Sequence, residues 1–214
     1  MRIWYRFVRF AFHHFYNEFA WTYDLVSRIV SRGKWHDWQR AALPELRGDR
    51  VLEVASGTGN LLWDMTTQGR RCFGVDLSPH MVGIAKRKFR RRQQEAPVCR
   101  ARVQQLPFAD GTFDSLVSTF PDYFILDPVA QEEMARVLVP GGRLVIVEGG
   151  RLVQADLWSR LLNWAFSVTV SPRTWKESQR LFKHPVFHVE RREVRNEGSL
   201  VGVIVAIKRP GNSK

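Results

Sequence analysis

The sequence predicts an α/β domain built on a doubly wound, mainly parallel sheet that ends in a C-terminal antiparallel hairpin. Three observations carry that expectation. Short apolar runs alternate with helical stretches from Arg50 to Glu148, the first of these runs leads straight into a glycine turn, and the last two runs flank a short polar turn. Such alternation with short connections is what βαβ units around a parallel sheet produce, because each crossover helix must cover the strands it joins.

In chain order, Arg2 to about Val30 is aromatic and basic with helical spacing. Arg2, Arg6, Arg9 and His13 share one stripe, and Ile3, Trp4, Phe7, Val8, Phe10, Phe12 and Phe15 form the other side. Ser31–Asp49 contains Gly33, Pro44 and Gly48 and reads as one or two broken helices. Residues 1–49 are therefore expected as a helical arm or lid, and residues 50–214 as the domain. Strands are expected at Val51–Ala55, Cys72–Asp76, Val98–Val103, Phe113–Thr119 and Arg143–Glu148. Helices are expected at Asn60–Gln68, Pro79–Gln94, Pro128–Leu138 and Leu152–Val168. Val186–Val194 and Leu200–Lys208 read as a strand pair joined by the turn Asn196–Ser199.

Composition bounds the class. The chain has 214 residues, 44% of them hydrophobic and 12% aromatic, with 33 Lys and Arg against 21 Asp and Glu, a formal net charge of +12. That is ample material for one core, and it excludes disordered, collagen-like and disulfide-framework readings. Cys72 and Cys99 are the two cysteines and lie in no ligand spacing, which fits a reducing, cytoplasmic setting. The longest apolar stretches, Leu161–Val170 and Leu200–Ile207, fall short of the roughly 18–20 residues a spanning helix needs. Arg2, Arg6 and Arg9 sit inside the N-terminal apolar run, which therefore lacks the separate regions of a secretory signal.

The chemistry begins at Val51-Leu-Glu-Val-Ala-Ser-Gly-Thr-Gly-Asn60, an apolar strand running through a glycine turn into a helix. Gly57 and Gly59 let the backbone turn sharply and a ligand approach it. A bare GxG also fits any tight strand-to-helix turn. The next strand, Cys72-Phe-Gly-Val-Asp76, ends in a carboxylate about 20 positions on, where a doubly wound sheet receives ribose hydroxyls. A dinucleotide fingerprint would have a third glycine where this chain has Leu62, so pyrophosphate, and with it an NAD-dependent dehydrogenase, is disfavoured. Glu53 adds negative charge near the turn, which suits a cationic adenosine derivative.

These residues resemble a known family. Val-Leu-Glu-Val-Ala-Ser-Gly-Thr-Gly, Gly-Val-Asp-Leu-Ser-Pro-His-Met, Leu-Pro-Phe-Ala-Asp-Gly-Thr-Phe-Asp and Arg-Val-Leu-Val-Pro-Gly-Gly-Arg-Leu look like the ordered motifs of class I S-adenosylmethionine-dependent methyltransferases. The subgroup is similar to the ubiquinone and menaquinone C-methyltransferases, and the likeness covers about residues 50 to 150. Tyr16-x3-Ala20-x2-Tyr23-Asp24 also resembles the segment that precedes the core in that subgroup and folds over the cofactor.

The resemblance implies a Rossmann-like, seven-stranded sheet and S-adenosyl-L-methionine as cofactor. It implies that Glu53 and the backbone of Ala55, Ser56, Gly57 and Gly59 meet the methionine part, and that Asp76 holds the ribose. Leu77 and Met81 would pack by the adenine, with Gln104, Gln105 and Leu106 at its other edge. Ser118–Phe120 would lie beside the sulfonium, and Tyr23 would be a lid contact. Two positions depart from the pattern: Arg102 stands where many relatives have an Asp that bonds the adenine amino group, leaving Val103 to backbone contacts, and Ala55-Ser56 replaces a commoner Gly-Cys or Gly-Ser.

Methyl transfer from a sulfonium is an in-line displacement that needs placement and a dry pocket rather than a protein nucleophile. A base is required only for a protonated acceptor. His13, His14, Tyr16, Asp122 and Tyr123 are the polar candidates to face the acceptor, each with a plain structural alternative. Phe120-Pro-Asp-Tyr123 only partly matches the Asp/Asn-Pro-Pro-Tyr segment of amino-directed relatives. His184 and His188 are separated by Pro185 and no metal site is expected.

The basic run Lys86–Arg92 reads as a solvated helix face, so nucleic acid is an unlikely partner. Residues 2–15 interleave arginines with aromatics, as an interfacial helix on anionic lipid does, or as a lid packed on the domain. Both can hold, and a lipophilic small-molecule acceptor would explain the arm and a peripheral membrane location. An RNA methyltransferase and a non-catalytic nucleoside-binding module are the alternative functions.

Overall fold

The computed structural model describes residues 22–153, 185–196 and 198–210. Two short helices, α1 (Tyr23–Val30) and α2 (Trp35–Arg40), precede the sheet. The link between them holds two consecutive left-handed residues, Arg32 (φ +54°) and Gly33 (φ +82°). There follow β1 (Arg50–Val54), α3 (Asn60–Thr67), β2 (Arg71–Asp76), α4 (Pro79–Arg90) and β3 (Val98–Arg100). Then come β4 (Phe113–Thr119), α5 (Pro128–Val137), β5 (Leu138–Leu152), β6 (Phe187–Asn196) and β7 (Ser199–Lys208).

Among the described residues the strands form one sheet in the order β3-β2-β1-β4-β5-β7-β6. Strands β1 to β5 pair in parallel, and β7 runs antiparallel between β5 and β6. The chain winds outward from β1 to β3, then returns to β1's other side at β4. That reversal opens a crevice at the carboxyl ends of β1 and β4, where open α/β sheets bind ligands.

Each face of the sheet carries its own core. On one, Trp38 of α2, Leu61, Leu62 and Met65 of α3, and Val82, Ala85 and Phe89 of α4 pack against Val51, Val117, Val145, Val203 and Val205. On the other, Ala130, Met134 and Val137 of α5 cover Leu52, Leu116, Leu144, Ile146 and Ile204. Full burial of each such aliphatic side chain contributes about 1.5–3 kcal/mol, so both faces hold the strand ends in place.

Local signals start the helices. Ser78 caps α4 by accepting from the Met81 amide at 3.3 Å, with Pro79 at the first helical position. Asp127 and Pro128 do the same for α5, the carboxylate accepting from Val129 at 3.1 Å. Helix α4 stops at Arg90, short of the expected Gln94, because Gln93 turns left-handed (φ +57°) and the Gln94 amide bonds back to the Phe89 carbonyl at 3.2 Å.

Two strands differ from expectation. Strand β5 is longer than Arg143–Glu148 because β7 pairs along it from Arg143↔Ile207 to Leu152↔Ser199, across a bulge between Val147 and Gly149. Strand β3 is shorter than Val98–Val103: an edge strand with one neighbour, it ends where Arg102 and Gln105 form their own bridge. Leu152 closes β5 instead of opening a helix. The rest of the expected Leu152–Val168 helix from residue 154 onward lies outside the described residues, as do the arm over residues 2–15 and His184.

Candidate functional site

Strand β1 ends in a turn with three left-handed residues, Ala55 (φ +57°), Gly57 (+54°) and Gly59 (+74°). The two glycines answer different needs. A Cβ on Gly57 would meet nothing within 4 Å, so this side of the turn is open to a ligand. A Cβ on Gly59 would lie 3.0 Å from the Ala85 Cβ, so that glycine lets α4 pack on the start of α3. Ala55 carries the same backbone sign with a side chain attached, a conformation that costs an L-residue about 1–2 kcal/mol.

Glu53 lies beneath the turn and is 1% exposed. Its carboxyl accepts from the Leu62 backbone amide in the first turn of α3, while Oε2 has no hydrogen-bond partner. Burial, and then the neighbouring Asp76 carboxylate, push Glu53 well above the usual carboxylate range. The same surroundings push the Cys72 thiol up to about 12, burial first and Glu53 second. Ser56, also buried, donates its amide to Val75 at 3.0 Å and leaves its hydroxyl without a partner.

Asp76 ends β2. Its Oδ2 accepts from the Gly57 amide and its Oδ1 from the Ser78 amide, each at 2.8 Å. Burial raises this carboxyl above its ordinary value, and the Ser78, Gly57 and Leu77 amides oppose the rise. Leu77 beside it is 55% exposed, whereas Met81 is buried. Two carboxylates thus flank one open glycine turn, one of them with an unused oxygen.

The opposite wall is aromatic. Phe120, just past β4, takes a strained positive φ of +53° and packs tilted against Trp35, with ring centroids 4.2 Å apart and planes 41° from parallel. Trp35 is met edge-on by Tyr23 at 6.2 Å and packs beside Trp38 at 6.1 Å. Gln39 of α2 donates to the Thr119 hydroxyl at 3.2 Å, fixing this aromatic helix over the end of β4. The Ser118 hydroxyl bonds the Val54 carbonyl at 2.9 Å inside the sheet, which joins the ends of β1 and β4.

The segment expected at a base edge is held from below. Leu106 donates its amide to Glu133 at 2.7 Å, the Gln104 side chain donates to Asp127 at 2.8 Å, and Val103 is half-buried. Gln105 is exposed and, with Arg100, Arg102 and Leu106, lines a surface cavity of about 380 Å³. Asp122 is exposed, its carbonyl accepting from Ile125, and Tyr123 opens the single turn Tyr123–Leu126 after β4. His13, His14 and Tyr16 lie outside the described residues. Among the described residues no three His, Cys, Asp or Glu side chains are grouped to hold a metal ion, and no helix is long and apolar enough to cross a membrane.

Other contacts around the turn had no signal in sequence spacing. Asp24 reaches Thr58 and Asn60, and His36 and Arg40 reach Asp64 at 2.8 and 2.7 Å. Burial works to raise Asp64, but the His36 and Arg40 contacts overcome it and bring its carboxyl down to about 2. These pairs span 24 or more positions, beyond any helical or strand period.

The arrangement fits a cationic nucleoside: a buried acceptor for an ammonium group, an open turn for close approach, and a carboxylate placed for a diol. Comparison with known proteins agrees. Residues 52–146 match the family described as Methyltransferase domain. A demethylmenaquinone methyltransferase from Thermus thermophilus is 37% identical over 62% of this chain and 63% of its own length. A ubiquinone/menaquinone biosynthesis C-methyltransferase from Geotalea daltonii is 33% identical over 62% of this chain and 60% of its own. The chain thus spans less than two thirds of these curated relatives. Among solved structures, an S-adenosylmethionine-dependent methyltransferase from Thermotoga maritima superposes with TM-score 0.63 at 23% identity, covering 92% of this chain and 99% of that one. An N-methyltransferase from Haemonchus contortus, solved with phosphomonomethylethanolamine and S-adenosylhomocysteine, gives 0.59 at 17% identity over 83% and 53%. At these identities the structural likeness speaks for the fold.

Proposed function

We propose that the chain is a class I S-adenosylmethionine-dependent methyltransferase and that it methylates a small, lipophilic, quinone-type acceptor. The observation that carries the reading is the pairing of Glu53 and Asp76 about the open Gly57 turn. The names of the curated relatives support the acceptor class.

When bound, the cofactor supplies a methyl group on a positively charged sulfur, already activated for transfer. The chain's residues do the rest. Glu53 Oε2 accepts from the ligand's ammonium group, which relieves the burial of an unpaired oxygen. Asp76 has lone pairs beyond those given to Gly57 and Ser78, and offers them to ribose hydroxyls. Leu77 provides apolar cover for the base. Tyr23, Trp35 and Phe120 exclude water from the carboxyl end of β4, where the acceptor must lie for in-line attack.

A membrane-facing acceptor is consistent with α1. Leu25 and Ile29 are 59% and 54% exposed on one side of that helix, with Arg28 exposed beside them. An apolar face next to cations is the pattern of a surface helix on anionic lipid.

Calorimetric titration with S-adenosylmethionine and with NAD tests the cofactor, and saturable binding of NAD alone would overturn the assignment. Transfer of a labelled methyl group to demethylated quinone precursors, with RNA as the control acceptor, tests the substrate class. Cosedimentation with anionic liposomes, comparing the whole chain with Leu25→Ser/Ile29→Ser, tests the surface.

A further inference from the structure

Asp24, the second residue of α1, bonds across to both ends of the Gly59 step of the glycine turn and to Lys88 of α4. Its Oδ1 accepts from the Thr58 hydroxyl at 2.7 Å and from the Asn60 side-chain Nδ2 at 3.0 Å, and its Oδ2 pairs with Lys88 Nζ at 3.0 Å. Lys88 also donates to the Asn60 side-chain oxygen, which closes the ring of contacts. Thr58 is 3% exposed and sits between the two left-handed glycines, while Asn60 is the first residue of α3. Burial works to raise the Asp24 carboxyl, but Lys88, Thr58 and Asn60 together hold it below the ordinary range.

The rest of α1 is held differently. Tyr23, next to Asp24, touches the aromatic wall through Trp35, and the outward side of the helix is exposed. Behind α1 lies the Arg32–Gly33 pair, whose backbone is left-handed at both residues and where a Gly33 side chain would meet nothing within 4 Å. One carboxylate therefore joins a short helix, anchored at its far end by an open turn, to the two residues that flank Gly59.

We propose that Asp24 is a positioning residue: its bonds to Thr58, Asn60 and Lys88 latch α1 onto the glycine turn, so that release of the nucleoside ligand requires α1 to unlatch. The inference rests on the cofactor reading above. Thr58 and Asn60 bond Asp24 with the turn in its left-handed form, Gly57 at φ +54° and Gly59 at φ +74°. A ligand that favours that form tightens the latch, and by linkage the latch slows loss of the ligand.

The experiment uses the full chain and S-adenosylhomocysteine. Stopped-flow tryptophan fluorescence reads ligand dissociation, and hydrogen exchange reads the amides of residues 23–30 with and without ligand. Asp24→Asn and Lys88→Gln are each expected to speed dissociation about fivefold or more, the low end of ordinary coupling between sites. Both should remove the ligand-induced protection of α1, and the double variant should add little to either single one. Asp24→Glu should restore slow release, which a general loss of fold would not allow. Dissociation at the wild-type rate in Asp24→Asn, or faster exchange in α1 with unchanged dissociation, would overturn the latch while leaving the cofactor reading intact. Failure of the wild-type chain to bind S-adenosylhomocysteine would instead remove the cofactor reading, and the latch with it.

Discussion

The Gly57 amide donates a 2.8 Å hydrogen bond to Asp76 Oδ2, tying the glycine turn after β1 to the carboxyl end of β2. With the Ser78 amide on Oδ1, the carboxylate is oriented by backbone from both sides. Asp76→Asn keeps the shape but presents an NH₂ group to one of these amides. Hydrogen bonds to a charged acceptor are worth about 1.5–3 kcal/mol, so S-adenosylhomocysteine should bind about 10- to 100-fold more weakly. Isothermal titration of both proteins checks this, and matched affinities would remove Asp76 from the site.

Glu53 makes binding pH-dependent. Its folded-state carboxyl titrates above its unfolded value, so its contribution to folding is fully present at low pH. That contribution is lost as pH rises from the unfolded value toward the folded one. A ligand ammonium prefers the ionised form, so affinity should rise with pH through the same window, with proton release on binding. Glu53→Gln, which keeps an acceptor for the Leu62 amide, should melt higher than wild type at neutral pH when free of ligand. It should also flatten the pH dependence of binding. Titrations in buffers of different ionisation enthalpy, with thermal melts, measure both; proton uptake would contradict the reading.

Asp64 behaves with the opposite sign. It is 7% exposed and held at about 2 against an ordinary 3.8, so it adds about 2 kcal/mol that is present above the unfolded value and lost as pH falls toward the folded one. Asp64→Asn should cost about that much in urea unfolding at pH 7, and the gap from wild type should close progressively in acid. A gap that persists unchanged near the folded value would point to packing instead of the His36 and Arg40 contacts.

Gly150 of β5 lies flat beneath the Trp38 indole: a Cβ there would stand 2.1 Å from the ring. Gly150→Ala should destabilise by about 3 kcal/mol, the upper end for overpacking. In a Trp38→Leu background the same change should cost clearly less, since the two positions share one space. Chemical denaturation of the four proteins closes the cycle, and strict additivity would disprove the contact.

Ala55 is the mildest test. At φ +57°, Ala55→Gly removes strain worth about 1–2 kcal/mol but loosens the unfolded chain by about 0.4–1 kcal/mol. A net gain of about 0.5–1 kcal/mol is expected in the same assay, and a loss would mean the alanine methyl packs usefully.

Local chemistry made much of this readable from residue order alone. Phe113–Thr119 forms the strand its apolar run predicts, Ser78-Pro79 and Asp127-Pro128 start helices, and Gly57, Gly59 and Asp76 come together at two strand ends. These features depend on propensity, capping and a βαβ spacing, all of which act within about 20 positions. Tertiary structure decided the rest. Nothing near Gly149 and Gly150 in the chain says that β5 continues through them, because the partner strand lies some 50 residues later and the covering indole more than 100 residues earlier. The Asp24–Lys88, Gln39–Thr119 and Trp35–Phe120 contacts likewise join residues 64 to 85 positions apart. Which side chains meet over such distances is fixed by how the helices pack on the sheet. The sequence thus determined a glycine turn and its carboxylate, and only packing determined what surrounds them.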